Sequence, residues 1–123
     1  MATHNETGRW GEAMAAKFLR QKAYFIVRQD WKCGHRDLDI VAVAPDRRTL
    51  VVVEVKTRHD ETFMSAREAV DKEKMRNIGW ATQAFMRKFK VNAPVRFDII
   101  TVVGDSPQTA VISHTEDAFK PYI

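Results

Sequence analysis

The chain has 123 residues, of which 45% are hydrophobic and 29% are charged, and its formal net charge is +4. Its length and composition are those of one globular domain with a real core, so we predict a single domain over residues 1–123, with residues 1–7 flexible. The single cysteine excludes an intrachain disulfide, and no apolar run reaches the roughly 20 residues of a membrane span. We therefore expect a cytoplasmic protein that does not enter a membrane, and its basic charge favours an anionic partner, nucleic acid first.

Apolar residues at helical spacing predict a first helix over residues 8–22, and Thr7 is a candidate for its N-cap. Glu12 borders the apolar side of this helix and lies near its positive end, where a carboxylate is favoured. The apolar positions are Trp10, Met14, Phe18 and Leu19.

Three strand-like runs follow, over residues 24–33, 38–43 and 50–56, with a turn at Gly34-His35 and another at Pro45–Arg48. In the third run, Val51, Val53 and Val55 point to one side, while Leu50 and Val52 point to the other. A strand that is apolar on both faces is typical of the centre of a sheet covered on both sides.

The second half of the chain predicts a long helix over residues 66–89, broken near Asp71, and strands over 95–103 and 109–113. The tail, 115–123, is expected to hold a short helical turn. The resulting order, α-β-β-β-α-β-β, predicts an α/β fold in which a mixed central sheet is flanked by helices.

Asp39, Glu54 and Lys56 are charged residues inside otherwise apolar strand-like runs, where charges are costly unless something compensates them. An antiparallel hairpin centred on the Pro45–Arg48 turn places Asp39 opposite Glu54. The same register places Asp37 opposite Lys56. Directly opposed side chains have β-carbons about 4.5–5.5 Å apart, so two facing carboxylates repel unless one keeps its proton or a cation lies between them.

Two interpretations of this cluster are open from spacing alone. Hard divalent cations favour carboxylate oxygens, so Asp39 and Glu54 can hold Mg²⁺, while Lys56 orients a water molecule or stabilises charge during phosphodiester hydrolysis. Alternatively, the cluster is a salt-bridged network at a strand end, in which Lys56 pairs with Asp37 or Glu54.

Five ordered blocks of sequence resemble the YraN-type family of small bacterial proteins, over roughly residues 8–119. The blocks are Gly11-Glu12, Arg36-Asp-Leu-Asp-Ile-Val-Ala42, Val53-Glu-Val-Lys-Thr-Arg58, Ala69-Val70 followed by Lys74, and Arg96-Phe-Asp-Ile-Ile100. That family is similar to the PD-(D/E)xK nuclease superfamily, which has a restriction-endonuclease-like fold and includes Holliday-junction resolvases. Two positions depart from the pattern: Asp37 stands where the family commonly has Glu, and Leu38 where the superfamily has proline.

The resemblance implies roles for four residues. Asp39 and Glu54 would be ligands of Mg²⁺ or Mn²⁺, and Lys56 the catalytic lysine. Glu12 would be an accessory carboxylate that approaches the metal from the first helix and assists through water.

Further residues are candidates for contacts with nucleic acid. Lys74 either contacts a phosphate or is a solvated helix lysine, and Arg58 either clamps a phosphate or pairs with Asp60 or Glu61. Trp31, which follows Arg28 and precedes Lys32, is the best base-stacking candidate of the three tryptophans, whereas core packing is expected for Trp10 and Trp80. Arg96 and Asp98 are expected to pair with each other, and His59 and His114 to lie on the surface.

From these observations we expect a Mg²⁺-dependent endonuclease that hydrolyses phosphodiester bonds of DNA, including branched or structured DNA. DNA is expected in preference to RNA, and a homodimer is one option because related nucleases often pair to cut two strands. The first alternative is a nucleic-acid-binding module with the nuclease fold but little or no catalytic activity. The second is a protein-interaction scaffold whose acidic cluster is a salt-bridge network.

Overall fold

The computed structural model describes residues 4–59 and 70–121, with side chains from Trp10 onward. In these ranges the chain forms two α-helices and five β-strands, in the predicted order: α1 (His4–Gln21), β1 (Phe25–Cys33), β2 (Arg36–Val43), β3 (Leu50–Arg58), α2 (Lys72–Lys88), β4 (Val95–Val103) and β5 (Val111–Thr115). Neither of these helices is long and apolar enough to cross a membrane.

The five strands form one mixed sheet in the order β1-β2-β3-β4-β5. All neighbouring strands are antiparallel except β3 and β4, which are parallel. A parallel pair requires a long crossover connection, and α2 lies in the one between β3 and β4. Helix α1 packs on one face of the sheet and α2 on the other, which confirms the predicted α/β class with a helix-flanked mixed sheet.

Strand β3 is buried on both faces, as its sequence predicted. Val51, Val53 and Val55 pack in the core cluster that includes α1, whereas Leu50 and Val52 pack in the cluster that includes α2. Burying a side chain of this size is worth about 1.5–3 kcal/mol, so β3 anchors both layers. Its charged end, Glu54 to Arg58, is held in place by this buried segment.

The turn between β2 and β3 fixes the register of the hairpin. The Oδ1 atom of Asp46 accepts hydrogen bonds from the backbone N–H groups of Arg48, at 2.8 Å, and Thr49, at 2.9 Å. The predicted register is confirmed over four backbone pairs: Val43↔Leu50, Ala42↔Val51, Val41↔Val52 and Ile40↔Val53.

The helix starts differ in part from the prediction. Helix α1 begins at His4, so Thr7 lies inside it and is not its N-cap, and residues 4–7 are helical. Helix α2 begins directly after the position of the predicted break, because Asp71 is its N-cap and accepts a 2.8 Å hydrogen bond from the N–H of Lys74. The prediction of helix over 66–69 and of flexibility over 1–3 concerns residues outside those described.

The last strand begins two residues later than predicted. The backbone N–H of Ala110 donates to the carbonyl of Ser106 at 3.0 Å, which holds residues 106–110 in the turn and leaves β5 to begin at Val111. A turn, and no helix, follows at Glu116 and Asp117.

Candidate active site

The sheet forks between β2 and β3 next to the charged residues. Backbone pairing between these strands ends at Ile40↔Val53. Beyond that point β2 remains paired with β1 as far as Arg36, and β3 remains paired with β4 as far as Arg58. The two halves of the sheet therefore part at the position where the sequence places Asp39 and Glu54.

Asp39 lies at the point of the fork. Its Oδ2 atom accepts a 2.9 Å hydrogen bond from the backbone N–H of Val55. A side-chain oxygen thus satisfies an N–H group of β3 at the place where backbone pairing with β2 has stopped. The bond fixes the Asp39 carboxylate beside the Glu54-Val55-Lys56 segment, close to the arrangement that the hairpin register predicted.

Glu54 is a buried carboxyl group held between two lysines. It is 4% exposed, and its Oε1 atom lies 3.5 Å from Nζ of Lys74 and 3.8 Å from Nζ of Lys56. Burial and then the charge of Asp39 raise the pKa of Glu54 to about 8, although the two lysines act in the opposite direction. The two lysines therefore do not offset the combined effect of burial and the Asp39 charge on the pKa of Glu54.

Glu12 reaches the cluster because α1 approaches β3 very closely at Gly11. A β-carbon built on Gly11 would lie 1.9 Å from Oγ1 of Thr57, so only glycine fits there without a shift. Burial raises the pKa of Glu12 to about 8, and the charge and hydrogen bonding of Asp39 contribute to the rise. The structure thus brings Glu12, Asp39 and Glu54 together from α1, β2 and β3.

Lys74 belongs to this cluster as an ion-pair partner, a role that neither sequence interpretation included. Its Nζ atom lies 3.5 Å from Glu54 and 3.8 Å from Oδ1 of Asp37. Although burial lowers it, the carboxylates nearby, Glu54 foremost, raise the pKa of Lys74 above its ordinary value. Only tertiary packing brings α2 over the fork, so sequence periodicity could not have found this contact.

Asp37 was one expected ion-pair partner of Lys56, but in the structure it lies near two other lysines. Asp37 lies 3.8 Å from Lys32 and 3.8 Å from Lys74, while the ion pair of Lys56 is with Glu54. The register that would set Asp37 opposite Lys56 is lost because the strands have already parted. Lys56 therefore stays beside the buried carboxylate.

Arg58 lies at the far end of β3, where its carbonyl accepts a 2.8 Å hydrogen bond from the N–H of Gly104. Its predicted alternative partners, Asp60 and Glu61, lie outside the described residues. Its role as a phosphate contact stays a prediction.

The tryptophans are arranged differently from the expectation. Trp31 packs edge-on against Phe85, with ring centres 5.3 Å apart, and against Phe89, with ring centres 6.3 Å apart, on the α2 side of the core. Trp80 was expected in the core, but it is 45% exposed. Trp10 packs against the α1 core as expected. Trp31 is thus largely engaged in packing, and Trp80 is the tryptophan with an exposed ring.

Asp98 forms a second buried acidic centre, away from the fork, on β4. Arg96 donates to it at 2.8 and 2.9 Å, as predicted, and His114 donates at 2.7 Å. The expectation that His114 lies on the surface is wrong, because its side chain is 3% exposed. The N–H of Asp117 also donates to Asp98, at 2.9 Å, so this carboxylate is fully hydrogen-bonded and its role is structural.

The donor groups at the fork fit a hard divalent cation. Asp39 and Glu54 offer the oxygen atoms that Mg²⁺ prefers, and this ion typically takes one or two carboxylates together with waters and substrate phosphates. Within residues 4–59 and 70–121, no three or more His, Cys, Asp or Glu side chains are grouped so that they could hold a metal ion. Asp39 and Glu54 would leave the remaining positions around such an ion to waters and substrate.

The chain is similar to proteins of one bacterial family. It matches the family described as "Uncharacterised protein family UPF0102" over residues 11–102. A UPF0102 protein of Phocaeicola vulgatus is 49% identical, with 100% of this chain and 99% of the relative covered. A UPF0102 protein of Bacteroides thetaiotaomicron is 44% identical, with 98% of each chain covered. A UPF0102 protein of Porphyromonas gingivalis is 45% identical, with 97% of this chain and 87% of the relative covered. The chain therefore belongs to the UPF0102 family, the YraN-type family whose motifs its sequence resembles.

Proposed function

We propose that this protein is a Mg²⁺-dependent nuclease that hydrolyses phosphodiester bonds of DNA. One observation carries the proposal: the carboxyl groups of Glu12, Asp39 and Glu54 converge from three elements at the fork, beside Lys56. Carboxylates that hold a divalent cation, next to a lysine, are the groups that phosphodiester hydrolysis needs.

Burial and the proximity of like charges make the carboxyl groups at the fork suited to a cation. The pKa of Glu12 and that of Glu54 are both raised to about 8, first by burial and then by the charge of Asp39, even with Lys56 and Lys74 close to Glu54. A divalent cation between Asp39 and Glu54 would offset both causes, because an opposite charge nearby favours the ionised carboxylates.

Each residue has a distinct part in this proposal. Asp39 and Glu54 hold the cation, which supplies Lewis-acid polarisation of a phosphoryl oxygen when it is bound. Lys56, with Nζ 3.8 Å from Glu54, orients the attacking water or donates to the charged phosphate. Glu12, on α1, assists through water.

A second candidate is a nucleic-acid-binding module that does not cut. It is favoured by the 3.5 Å contact between Lys74 and Glu54, because a lysine ammonium that stays on this carboxylate takes the place of a metal ion. In that case the protein would use the same basic groups to bind phosphates and would show no response to Mg²⁺.

The decisive experiment measures cleavage and metal binding on the same variants. Labelled linear, nicked and four-way DNA, and a matched RNA duplex, are incubated with Mg²⁺ or Mn²⁺. We expect cleavage of DNA by the native chain and a loss of at least about 100-fold in rate for Glu54→Gln and Lys56→Met, which is typical when charge-stabilising groups are removed. Titration calorimetry with Mn²⁺ should show binding by the native chain and by Lys56→Met, and none by Glu54→Gln.

Glu73→Gln is the matched control, because Glu73 is an exposed glutamate in the first turn of α2, next to Lys74. It should bind Mn²⁺ and cleave like the native chain. Equal cleavage by Glu54→Gln and the native chain would exclude the proposed site. Binding of DNA without cleavage, and without Mn²⁺ binding, would establish the second candidate.

A further inference from the structure

Trp80 presents an exposed aromatic ring beside an arginine. The residue is 45% exposed on α2, and the guanidinium carbon of Arg36 lies 6.0 Å from the centre of its ring. Arg36 is held there by a 3.2 Å hydrogen bond from its Nε to Oδ1 of Asn77, one turn earlier on the same helix. An exposed indole with a positioned guanidinium is a surface suited to stacking and to phosphate contact.

This surface adjoins the carboxylate cluster through a short chain of contacts. Arg36 precedes Asp37, and Asp37 lies 3.8 Å from Lys74. Lys74 in turn lies 3.5 Å from Glu54. Trp80 lies six positions after Lys74, which is about 9 Å along the helix axis. Trp80 and the lysine that contacts Glu54 are therefore within two turns of each other on the same helix.

The chemistry of the surface selects an unpaired base. Every nucleobase has a π-face that can stack on an indole, so such a contact tolerates any sequence. In a continuous duplex both faces of each base are already stacked on their neighbours, and exposing one costs a few kcal/mol. The cost is least for a base that is already single-stranded or mismatched.

We propose that Trp80 and Arg36 form a binding site for an unpaired base of a nucleic-acid strand, with Trp80 stacking on the base and Arg36 contacting its phosphate. The proposal deepens the nuclease function proposed above and rests on it for the position of the scissile phosphate. It names the substrate class as DNA with unpaired nucleotides beside the cleavage point, such as a fork or a flap. Trp80 and Arg36 are binding residues in this scheme and take no part in the chemical step.

The test compares binding of two DNA probes that differ only in an unpaired segment. In the Glu54→Gln background, fluorescence anisotropy measures the Kd of a forked DNA with a single-stranded arm and of a blunt duplex. Trp80→Ala should weaken binding of the fork by between about 5-fold and about 100-fold, the range that one base–aromatic stack is worth, and change duplex binding by less than about 2-fold. Trp80→Phe should retain most of the affinity for the fork, because the aromatic face remains.

Phe89→Leu is the matched control. Phe89 is also an exposed aromatic with an arginine over its ring, Arg28 at 5.0 Å, but it is the C-cap of α2, at the end of the helix away from Lys74. It should leave binding of both probes unchanged. Equal weakening of fork and duplex by Trp80→Ala, no weakening at all, or the same loss with Phe89→Leu would overturn the stacking site.

Intrinsic fluorescence separates this proposal from the nuclease proposal. Addition of the forked DNA to the native chain without divalent metal should quench emission, and Trp80→Phe should remove that quenching although Trp10 and Trp31 remain. Fork-selective quenching with no cleavage under any metal would retain the stacking site and reject the nuclease. Cleavage that depends on Glu54 but not on Trp80, without fork selectivity, would retain the nuclease and reject the stacking site.

Discussion

Gly11 sets how closely α1 approaches β3, and hence where Glu12 lies. A methyl group at this position would overlap Thr57, with its Oγ1 at 1.9 Å and its Cβ at 3.0 Å. The Oγ1 overlap cannot be absorbed without rotation of the threonine or displacement of the helix. Close packing against Thr57 therefore explains why glycine occupies this position, even though glycine inside a helix costs about 0.8–1.0 kcal/mol relative to alanine.

Gly11→Ala should destabilise the protein despite the gain in helix propensity. Overpacking of a tight contact typically costs about 1–3 kcal/mol, which exceeds that gain or cancels it. Thr57→Ala removes Oγ1 and the methyl group, so the double variant should recover most of the loss. Urea denaturation of the two single variants and the double variant gives the coupling free energy, for which we expect about 1–2 kcal/mol in favour of the double variant. Strictly additive effects would show that the contact does not constrain α1.

The Asp98 network connects separate elements on the side of the sheet away from the fork. Asp98 on β4 accepts from His114 on β5, and Nδ1 of His114 lies 2.9 Å from Nζ of Lys22, just after α1. A lysine ammonium only donates, so Nδ1 accepts and Nε2 carries the proton given to Asp98. Although burial opposes the shift, hydrogen bonds from His114, Arg96 and a backbone N–H lower the pKa of Asp98.

The stability of the fold should reflect this lowered pKa. A carboxylate whose folded pKa lies below its unfolded pKa, ordinarily about 3.9, stabilises the protein above that pH and loses this contribution as the pH falls through the folded pKa. Asp98→Asn should therefore lower the free energy of unfolding by about 3–5 kcal/mol at pH 7, because it leaves Arg96 partly uncompensated. The difference from the native chain should shrink below about pH 4.

Urea denaturation between pH 3 and pH 7 measures both quantities. Glu116→Gln is the control, since Glu116 contacts the same Arg96 at 3.0 Å but its side chain is 56% exposed. A surface ion pair is worth about 0–1 kcal/mol, so this variant should stay close to the native chain. If the free energies of unfolding of Asp98→Asn and the native chain differed by the same amount over the whole pH range, the ionised carboxylate of Asp98 would not be what stabilises the fold.

The elements of this fold could be predicted wherever their signal is local. The two-sided apolar run of β3 identified the central strand, and the Pro45–Arg48 turn gave the register of the hairpin. The Asp39–Glu54 relationship followed from that register alone. The end of pairing at Ile40 could not be predicted, because it depends on how the two halves of the sheet twist away from each other.

What the sequence could not show concerns residues whose environment is made by distant elements. Lys74 contacts a carboxylate twenty positions earlier in the chain, and His114 is buried by Asp98 and by the end of α1. Trp31 packs against Phe85 of α2, whereas Trp80, which was expected in the core, is exposed, because the way α2 packs against the sheet decides which ring is covered. No periodicity within one element carries that information.

The positive net charge of the whole molecule favours an anionic partner, but where the charges lie matters more than their sum. The formal net charge is only +4, and acidic groups surround the fork itself. Basic side chains that add contacts with a bound strand, beyond Lys56 and Lys74 within the cluster, must therefore lie around it. Arg36, at the start of β2, is such a residue, whereas Arg48 lies in the turn beyond the other end of β2, more than about 20 Å away along the strand.

Binding of DNA should accordingly fall steeply with salt, and the slope should identify the binding face. Each phosphate contact releases counterions and adds about −0.9 to the slope of log K against log salt for duplex DNA, or about −0.7 for a single strand. Arg36→Gln should make the slope shallower by about that amount, while Arg48→Gln should leave it unchanged. Anisotropy titrations from about 50 to about 200 mM salt cover the range in which a difference of one contact is measurable. If the affinity of the native chain did not change with salt, nucleic acid would be excluded as the partner. If Arg36→Gln and Arg48→Gln reduced the slope equally, net charge alone, without an oriented binding face, would govern the association.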